Sequence, residues 1–342
     1  MVRDMKVLLL AGGDSSEKEI SLRSGSAIYE SLIHLGHDVL AINPSGGHSL
    51  IDADGKFVAA LPSNLDPTTV QAADTRAIST TFRGTDFSKV ELVVIALHGG
   101  SGENGTIQSL LDLGGIKYTG SGMAASAIAM DKAITKRLMV SEGIPTPQWE
   151  LYRWKSEADE RMIANDILRK FDFPMIVKPN NSGSTVGLTK VKDEPSLIPA
   201  IHTCVKESKE ILVEEFIAGR ELTVSVLDGE ALPLVEIVPK NELYDYQAKY
   251  TKGRSEYIAP AEVEPGIARE IQKAAVKSFN VIGASGLARI DFMLAPDGKF
   301  YCLEINTLPG MTNLSLAPMA AKVAGMTFDD LVARIIDSAM KK

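Results

Sequence analysis

Residues 287–306 read LARIDFMLAPDGKFYCLEIN, two apolar runs with polar residues at alternate positions on either side of a turn signal. Side chains of a β-strand alternate between its faces, so Arg289 and Asp291 share one face of the first run, and Glu304 and Asn306 share one face of the second. Asp297 and Gly298 suit the two central positions of a tight hairpin turn. With these two residues as the loop, Asp291 lies opposite Glu304 and Arg289 opposite Asn306, flanked by apolar Ile290, Phe292, Leu303 and Ile305. Two opposed carboxylates repel unless a cation lies between them, and oxygen ligands alone suit Mg2+ held together with substrate phosphates. A purely structural reading stands beside this one: an exposed face on which each acid is paired to a basic residue.

Working outward, 342 residues exceed one ordinary core and fit two or three domains. Short apolar strands at Lys6 to Leu10, Asp38 to Ile42 and Leu92 to Leu97, with a helix from Glu19 to Gly36, predict a small parallel α/β unit. A helix is expected from Met123 to Gly143, stopped by Gly143-Ile-Pro-Thr-Pro147. Junctions near Gly120 and near Ile217 to Gly219 divide the chain into domains 1–120, 121–217 and 218–342. Strands follow at Pro174 to Lys178, Glu210 to Glu214, Glu221 to Leu227, Leu234 to Val238, Gly286 to Leu294 and Phe300 to Asn306. Helices are expected around Glu194 to Lys209, Ile267 to Val281 and Thr327 to Met340. Between Pro239 and Pro260, the irregular stretch PKNELYDYQAKYTKGRSEYIAP holds four of the eight tyrosines. Aromatic residues need a surface to pack on, so this long loop is read as a lid rather than a solvated linker.

Three further constellations bear on chemistry. Lys178 ends a strand next to Asn180-Asn-Ser-Gly-Ser-Thr-Val-Gly187, where backbone N–H groups of a Gly/Ser loop could cradle phosphate oxygens; the alternative is an ordinary surface turn. Gly100-Ser-Gly-Glu-Asn-Gly105 matches a dinucleotide fingerprint in letters but follows the wrong strand and lacks the answering acid. His98, just before it, is either a packing histidine or a substrate contact. Near the N-terminus, Ser16 and Glu19 read as a helix capping box, with a functional alternative that puts Glu17 in the site to receive an ammonium group.

Composition excludes several classes. The hydrophobic fraction of 45% with 23% charged residues belongs to a globular chain with ample core, not a disordered one. A net charge of -8 repels nucleic acid and anionic membranes, so bound phosphate needs a local basic pocket. Cys204 and Cys302 form no CxxC or Cys/His cluster and read as buried thiols of a reducing cytoplasm, without zinc or disulfide. The apolar run Val7 to Ala11 is far shorter than a signal or membrane segment, so a cytoplasmic location is expected.

Taken together, AGGDSSEKEISLRSG (from Ala11), ALHGGSGENGTIQ (from Ala96), YTGSGMAASAIAMDK (from Tyr118), IVKPNNSGSTVG (from Ile176), LVEEFIAGRELTV (from Leu212), YDYQAKY (from Tyr244), LARIDFML (from Leu287) and LEINTLPGMTNLSLAP (from Leu303) resemble the D-alanine:D-alanine ligases of the ATP-grasp superfamily, in matching order and spacing from end to end. The resemblance implies a mixed α/β, three-domain ATP-grasp fold behind an N-terminal parallel α/β domain. It also implies synthesis of D-alanyl-D-alanine for peptidoglycan precursors through an acyl phosphate. It assigns Lys132, Lys178 and Lys249 to ATP phosphates, Glu214 and the backbone around Ile217 to adenine, and Glu221 to ribose. Asp291, Glu304 and Asn306 become ligands of Mg2+ or Mn2+, two ions, with K+ as a candidate activator. Glu17 receives the first D-alanine and, with Ser184 and Tyr250, closes the lid. Arg289 and the backbone of Gly310 stabilise the tetrahedral intermediate, His98 lies near the first substrate, and Ser315 and Leu316 form the second site. Thr185 and Asn181 depart from a loop that often reads Ser and Arg or Glu, and Glu215 stands where Lys is common, which touches only the finer adenine contacts. A homodimer is the family expectation. The rivals are a D-alanine:D-lactate or D-serine ligase, against which the complete YDYQAKY speaks, and a non-catalytic ATP-binding module, against which Lys178, Arg289, Asp291, Glu304 and Asn306 speak.

Overall fold

In the computed structural model, residues 4–58, 75–183, 186–239, 255–312 and 314–342 are described. The N-terminal strands β1 (Lys6–Leu10), β2 (Asp38–Asn43), β3 (His48–Ser49) and β4 (Leu92–Ile95) form a sheet in the order β3-β2-β1-β4. β1 pairs in parallel with both β2 and β4. A parallel sheet is covered on both faces, which is why Val7 to Leu10 form a continuous buried run instead of an alternating one. Helix α1 (Lys18–His34) buries Ile28 and Leu32 against it, α2 (Thr75–Gly84) follows β3 in the chain, and α3 (Gly100–Glu103) and α4 (Thr106–Leu113) follow β4. The strand ends at Ile95, two residues before the expected Leu97, and Ala96, Leu97 and His98 continue it as buried, non-strand chain.

The expected helix from Met123 to Gly143 is two helices, α5 (Met123–Met130) and α6 (Lys132–Ser141). Asp131, extended at φ -89° and ψ 97°, separates them and caps α6 by accepting from the Ile134 N–H at 2.9 Å. The central sheet is antiparallel, in the order β5-β8-β6-β7, from β5 (Trp149–Arg153), β6 (Met175–Pro179), β7 (Thr189–Val191) and β8 (Glu210–Glu215). Helices α7 (Glu160–Lys170) and α8 (Glu194–Glu207) cover it, and its core is its own, built from residues such as Ile167, Val177, Ile201 and Val213.

The C-terminal sheet runs β12-β11-β9-β13-β14, from β9 (Arg220–Leu227), β10 (Glu230–Ala231, paired to β9), β11 (Val235–Pro239), β12 (Ser255–Ile258), β13 (Leu287–Leu294) and β14 (Phe300–Asn306). On one face lie α5, α6 and α9 (Pro265–Val281), whose Ala129, Met139 and Phe279 share a core with Val224, Phe292 and Cys302. On the other, α10 (Leu316–Val323) and α11 (Phe328–Lys341) share one core with α1 and the N-terminal sheet. Among the described residues no helix is long and apolar enough to cross a membrane. Cys204 and Cys302 are buried free thiols, each pushed up to about 12 by burial.

Candidate active site

A cleft of about 930 Å³, counted to its open mouth, lies between the central and C-terminal sheets, lined among others by Lys132, Lys178, Glu214, Ile217, Glu221 and Asp291. Lys178 is near the end of β6, and Glu214 projects from the neighbouring β8, where their charges meet at 2.8 Å (Nζ to Oε2). A second lysine that sequence reading passed over, Lys136 of α6, sits 2.9 Å from Glu214 Oε1 and is fully buried. Burial pushes the Glu214 carboxyl upward, but Lys136 and then Lys178 outweigh it and hold the carboxyl below its usual range. Lys132 opens α6 at the cleft wall. Its Nζ donates to the Ser182 carbonyl at 2.8 Å and lies 3.4 Å from Glu304 Oε2. Fully buried Asn180 fixes that helix start: its Oδ1 accepts from the Ala133 N–H at 2.8 Å and its Nδ2 donates to Asp131 at 3.0 Å.

The hairpin pairs Asp291 with Glu304 and Arg289 with Asn306, the expected partners, by a different route. Leu294 faces Phe300, Ala295 N–H bonds the Lys299 carbonyl at 2.8 Å, and Gly298 at φ 85° donates to the Ala295 carbonyl at 3.0 Å. The loop is therefore three residues, Pro296 to Gly298, not the expected two. A bulge between Phe292 and Asp291 absorbs one residue of β14 and returns the register. The bulge has a second effect: Leu303 and Glu304 both line the cleft, while Cys302 and Ile305 are buried in the core. Beside this pair, β9 places Thr223 next to Asp291 and Ser225 next to Arg289, so two polar rows cross three strands.

Each acid of the pair carries a protein cation. Arg289 grips Asp291 with both prongs of its guanidinium, Nε to Oδ1 at 2.9 Å and Nη2 to Oδ2 at 2.8 Å, and Lys132 stands by Glu304. The purely structural reading expected such ion pairs on an exposed face, yet Asp291 is only 5% exposed and lines the cleft. Among the described residues no group of three His, Cys, Asp or Glu is close enough to hold a metal alone. Two carboxylates and the Asn306 amide, whose Oδ1 also accepts from the Leu308 N–H at 2.9 Å, make an incomplete set of hard oxygen donors. That set fits Mg2+, which keeps waters and phosphate oxygens in its shell, and does not fit a closed all-protein cage.

At the far end, Glu17 starts α1. It, and not Ser16, occupies the N-cap position, without a side-chain capping bond, so the expected Ser16–Glu19 box does not form. Instead, Glu17 is buried against two backbones: a Cβ on Gly99 or Gly183 would come within 2.9 or 2.8 Å of its Oε2. Gly99 also has φ 62°, a conformation that favours glycine. Buried His98 joins three elements. Its Nδ1 is 3.0 Å from the Leu308 carbonyl and its Nε2 3.0 Å from Ser24 Oγ. A carbonyl only accepts, so Nδ1 carries the hydrogen. Glu103, the acid inside the six-residue fingerprint decoy, lies 3.9 Å from the same Nδ1. Burial pushes the Glu103 carboxyl up and the charge of Glu17 adds to this, while His98 opposes it. Gly310 packs against Ser315, whose Oγ accepts from the Thr312 N–H at 2.9 Å. Leu316 turns its side chain into the core, leaving backbone N–H groups of the first turn of α10 for any contact there.

The described residues thus gather Lys132, Lys178, Glu214, Ile217, Glu221, Asp291 and Glu304 on one cleft, with Glu17, His98, Gly310 and Ser315 grouped at its N-terminal side. Ser184, Lys249, Tyr250 and the lid reading of the tyrosine-rich stretch lie outside the described residues, apart from the strand Ser255–Ile258. Glu103 and Lys136 were missed: Lys136 shows its part only through Glu214, distant in sequence, and Glu103, though only five residues from His98, only through burial that its letters do not reveal.

A family model described as "D-ala D-ala ligase N-terminus" matches residues 6–121, and one described as "D-ala D-ala ligase C-terminus" matches residues 138–337. The chain is similar to "D-alanine--D-alanine ligase" of Syntrophotalea carbinolica, 41% identical over 338 residues that cover 99% of this chain and 97% of the relative. Its fold is similar to that of the Bacillus anthracis D-alanine--D-alanine ligase complexed with ATP, with a TM-score of 0.77, 29% identity and 98% of each chain covered. It is also similar to the VanG D-Ala:D-Ser ligase of Enterococcus faecalis, with a TM-score of 0.78, 28% identity, and 98% and 100% of the two chains covered.

Proposed function

The chain belongs to the D-alanine:D-alanine ligase family, and from that membership we propose that it joins two D-alanines with ATP to give D-alanyl-D-alanine, ADP and phosphate for peptidoglycan precursors. The observation that carries this reading is a single cleft lined by two lysines and two opposed acids, with Arg289 gripping one of the acids and a buried Glu17 at the cleft's N-terminal side. Lys132 and Lys178 take the phosphates, Glu214 and the Ile217 backbone the adenine, and Glu221 the ribose. Asp291, Glu304 and Asn306 would hold Mg2+ or Mn2+, two ions with the phosphates, supplying charge neutralisation of the transferred phosphoryl group.

Glu17 receives the ammonium of the first D-alanine and so points its carboxylate toward the cleft. A carboxylate oxygen attacks the γ-phosphorus, the bond to the β-γ bridging oxygen breaks, and ADP leaves. The amine of the second D-alanine, placed by Ser315 and the first turn of α10, then attacks the carbonyl carbon of the acyl phosphate. Arg289 and the Gly310 N–H stabilise the oxyanion that forms, and its collapse breaks the C–O bond to phosphate, which departs with the amine's proton. His98, with Glu103 beside its ring, holds the Leu308 carbonyl and the loop to Gly310 against the N-terminal domain, so the donors are in place before charge develops. Activation by K+, a homodimer, a cytoplasmic location and the domain limits 1–120, 121–217 and 218–342 belong to the same proposal.

The test is phosphate release from ATP with added D-alanine, L-alanine, or D-alanine plus D-serine or D-lactate. Release that requires D-alanine and gives D-alanyl-D-alanine is expected. Release indifferent to D-alanine would remove the ligase reading, and equal use of L-alanine would remove the assignment of Glu17, His98 and Arg289 to one chiral centre.

A further inference from the structure

Lys136 is among the largest fully buried side chains of the described residues, and nothing in the proposed chemistry uses it. Taking an ammonium out of water costs several kcal/mol unless it is paired and hydrogen-bonded. It is both: Nζ donates to Thr146 Oγ1 at 2.6 Å and lies 2.9 Å from Glu214 Oε1, and Thr146 in turn donates to the Cys302 carbonyl at 2.9 Å. Glu214 therefore has two cations, Lys136 behind it and Lys178 in front. They are not equivalent. Lys178 lines the cleft and can turn to a ligand, whereas Lys136 does not line it and has nowhere else to go. Glu214 Oε1 faces Lys136 in the interior and Oε2 faces Lys178, so it is Oε2 that becomes a free acceptor at the cleft wall once Lys178 turns to a ligand.

We propose that Lys136 is a positioning residue for nucleotide selection: it stays as the counter-ion of Glu214 when Lys178 turns to a phosphate, and keeps Glu214 an ionised acceptor that favours a 6-amino over a 6-oxo purine. This rests on the reading of the cleft as an ATP site. An ionised carboxylate offers only lone pairs, so it accepts from the amino group of adenine and repels the O6 of inosine triphosphate. Without Lys136, the departure of Lys178 would leave a bare buried carboxylate, which takes up a proton instead. A protonated carboxyl can donate to O6, and selection is lost. The titratable groups facing Glu214 are Lys136 of α6 and Lys178 of β6, with the Cys302 thiol of β14 near Lys136 and held neutral by a pKa pushed up to about 12. Burial pulls the Lys136 ammonium below its usual range, and the Glu214 carboxylate 2.9 Å away is the main influence that opposes this, so the two hold each other's charge.

Calorimetric binding of ATP and of inosine triphosphate, each with Mg2+, tests this without any ligase turnover. Wild type should prefer ATP, with a ratio of affinities that is flat between pH 6 and pH 8.5. Lys136→Met should cut that ratio roughly tenfold and make it fall further as pH is lowered, because protonation of Glu214 is what erodes it. Lys136→Arg, which keeps the charge, should retain most of the selection. Glu214→Gln should lose selection by itself. The double variant Lys136→Met/Glu214→Gln removes both buried charges together, which such sites tolerate well, and should match Glu214→Gln within about twofold, since Lys136 acts through Glu214. That comparison decides the matter even if Lys136→Met alone does not fold. An unchanged, pH-flat ratio in Lys136→Met, or a double variant that differs from Glu214→Gln, overturns the role of Lys136 while leaving the ATP site standing. Wild type that binds neither nucleotide removes the ATP-site reading and this proposal with it, and wild type that binds both equally removes adenine selection by Glu214 and this proposal while leaving the ATP site standing.

Discussion

Glu304→Gln keeps the size of the side chain and one carbonyl oxygen while deleting a charge, and the surroundings of Glu304 set what should follow. Its Oε2 is 3.4 Å from Lys132 Nζ, with the two side chains 30% and 10% exposed, so water screens the attraction and about 1 kcal/mol is the most it contributes. Lys132 keeps its bond to the Ser182 carbonyl in the variant. Against this loss stands the repulsion between Glu304 and Asp291, its directly opposed partner, which the substitution relieves by a similar amount. The two nearly cancel, and the thermal midpoint should move by about 3 °C or less in either direction. Activity has no such compensation. If Glu304 completes a divalent-ion site shared with the phosphates, losing one anionic ligand weakens a transition-state contact by about 3 kcal/mol, on the order of a hundredfold in turnover. More Mg2+ should also be needed to reach half the remaining rate. Differential scanning fluorimetry and D-alanine-dependent phosphate release across a Mg2+ titration measure both sides. A variant that is clearly less stable yet fully active, with an unchanged Mg2+ requirement, would show that the ion pair with Lys132 is the whole purpose of Glu304.

Three further outcomes are expected. Arg289→Lys cannot reproduce the two-pronged grip on Asp291, so turnover should fall about a hundredfold with little change in the KM for ATP, and unchanged turnover would argue against an oxyanion role. His98→Ala leaves the Leu308 carbonyl without its partner and should cost about 1–3 kcal/mol in a denaturant titration while raising the KM for D-alanine; a stability loss with a normal KM would reduce His98 to packing. Glu103→Gln tests a pH dependence. The folded-state pKa of Glu103 is raised by burial, so the folded protein holds this proton more tightly than the unfolded one, and the stability contribution is present below the unfolded value of 4.5 and lost as pH rises through the folded pKa. The variant escapes that loss, so its thermal midpoint relative to wild type should improve from pH 5 to pH 8, and a difference independent of pH would refute the assignment.

The hairpin shows how a sequence reading can reach the right contact by an incomplete path. Period-two alternation and an Asp-Gly turn placed Asp291 opposite Glu304, and they do face each other. The two-residue loop is wrong by one residue, and the bulge at Leu303 cancels the error. No local signal marks that bulge, because Leu303 reads as a regular strand residue; only the lining of the cleft gives it a reason. Asp131 is a different case. The alanine-rich run before it and the lysines after it continue a helical pattern, while the break is stabilised by Asn180, forty-nine residues away. Lys136 stands one turn after Lys132, a spacing that gives no sign of burial, yet it is wholly buried because Glu214 and Thr146 wait on other elements. Local periodicity reports which face of an element is apolar. It carries no information on which buried polar group will meet which across the fold.

That limit matters most where the site is charged. The acids Glu214, Asp291 and Glu304 each meet a lysine or arginine drawn from elsewhere in the site, Lys178 and Lys136, Arg289, and Lys132. Three of these cations, Lys132, Lys178 and Arg289, are also the groups assigned to incoming phosphate or to the oxyanion. On those assignments binding would be an exchange of partners: a phosphate would draw a lysine from a carboxylate, and the freed carboxylate oxygen would become available to a divalent ion or to an N–H of the ligand. An exchange avoids the several kcal/mol of stripping bare charges of water at the moment of binding. It also makes nucleotide and metal mutually dependent. Without the metal, the phosphates must compete with Glu304 and Glu214 for Lys132 and Lys178; without the nucleotide, the metal must displace Lys132 and Arg289 from Glu304 and Asp291. ATP affinity measured against Mg2+ concentration should therefore rise, and Mg2+ affinity measured against ATP concentration should rise by the same factor, as linkage requires. Neutralising Lys132 as Lys132→Met should raise the metal affinity of the nucleotide-free protein while lowering its ATP affinity. Opposite signs for the two ligands are the mark of an exchange, and a Lys132→Met protein that loses affinity for both would show that the ion pair with Glu304 only braces the cleft.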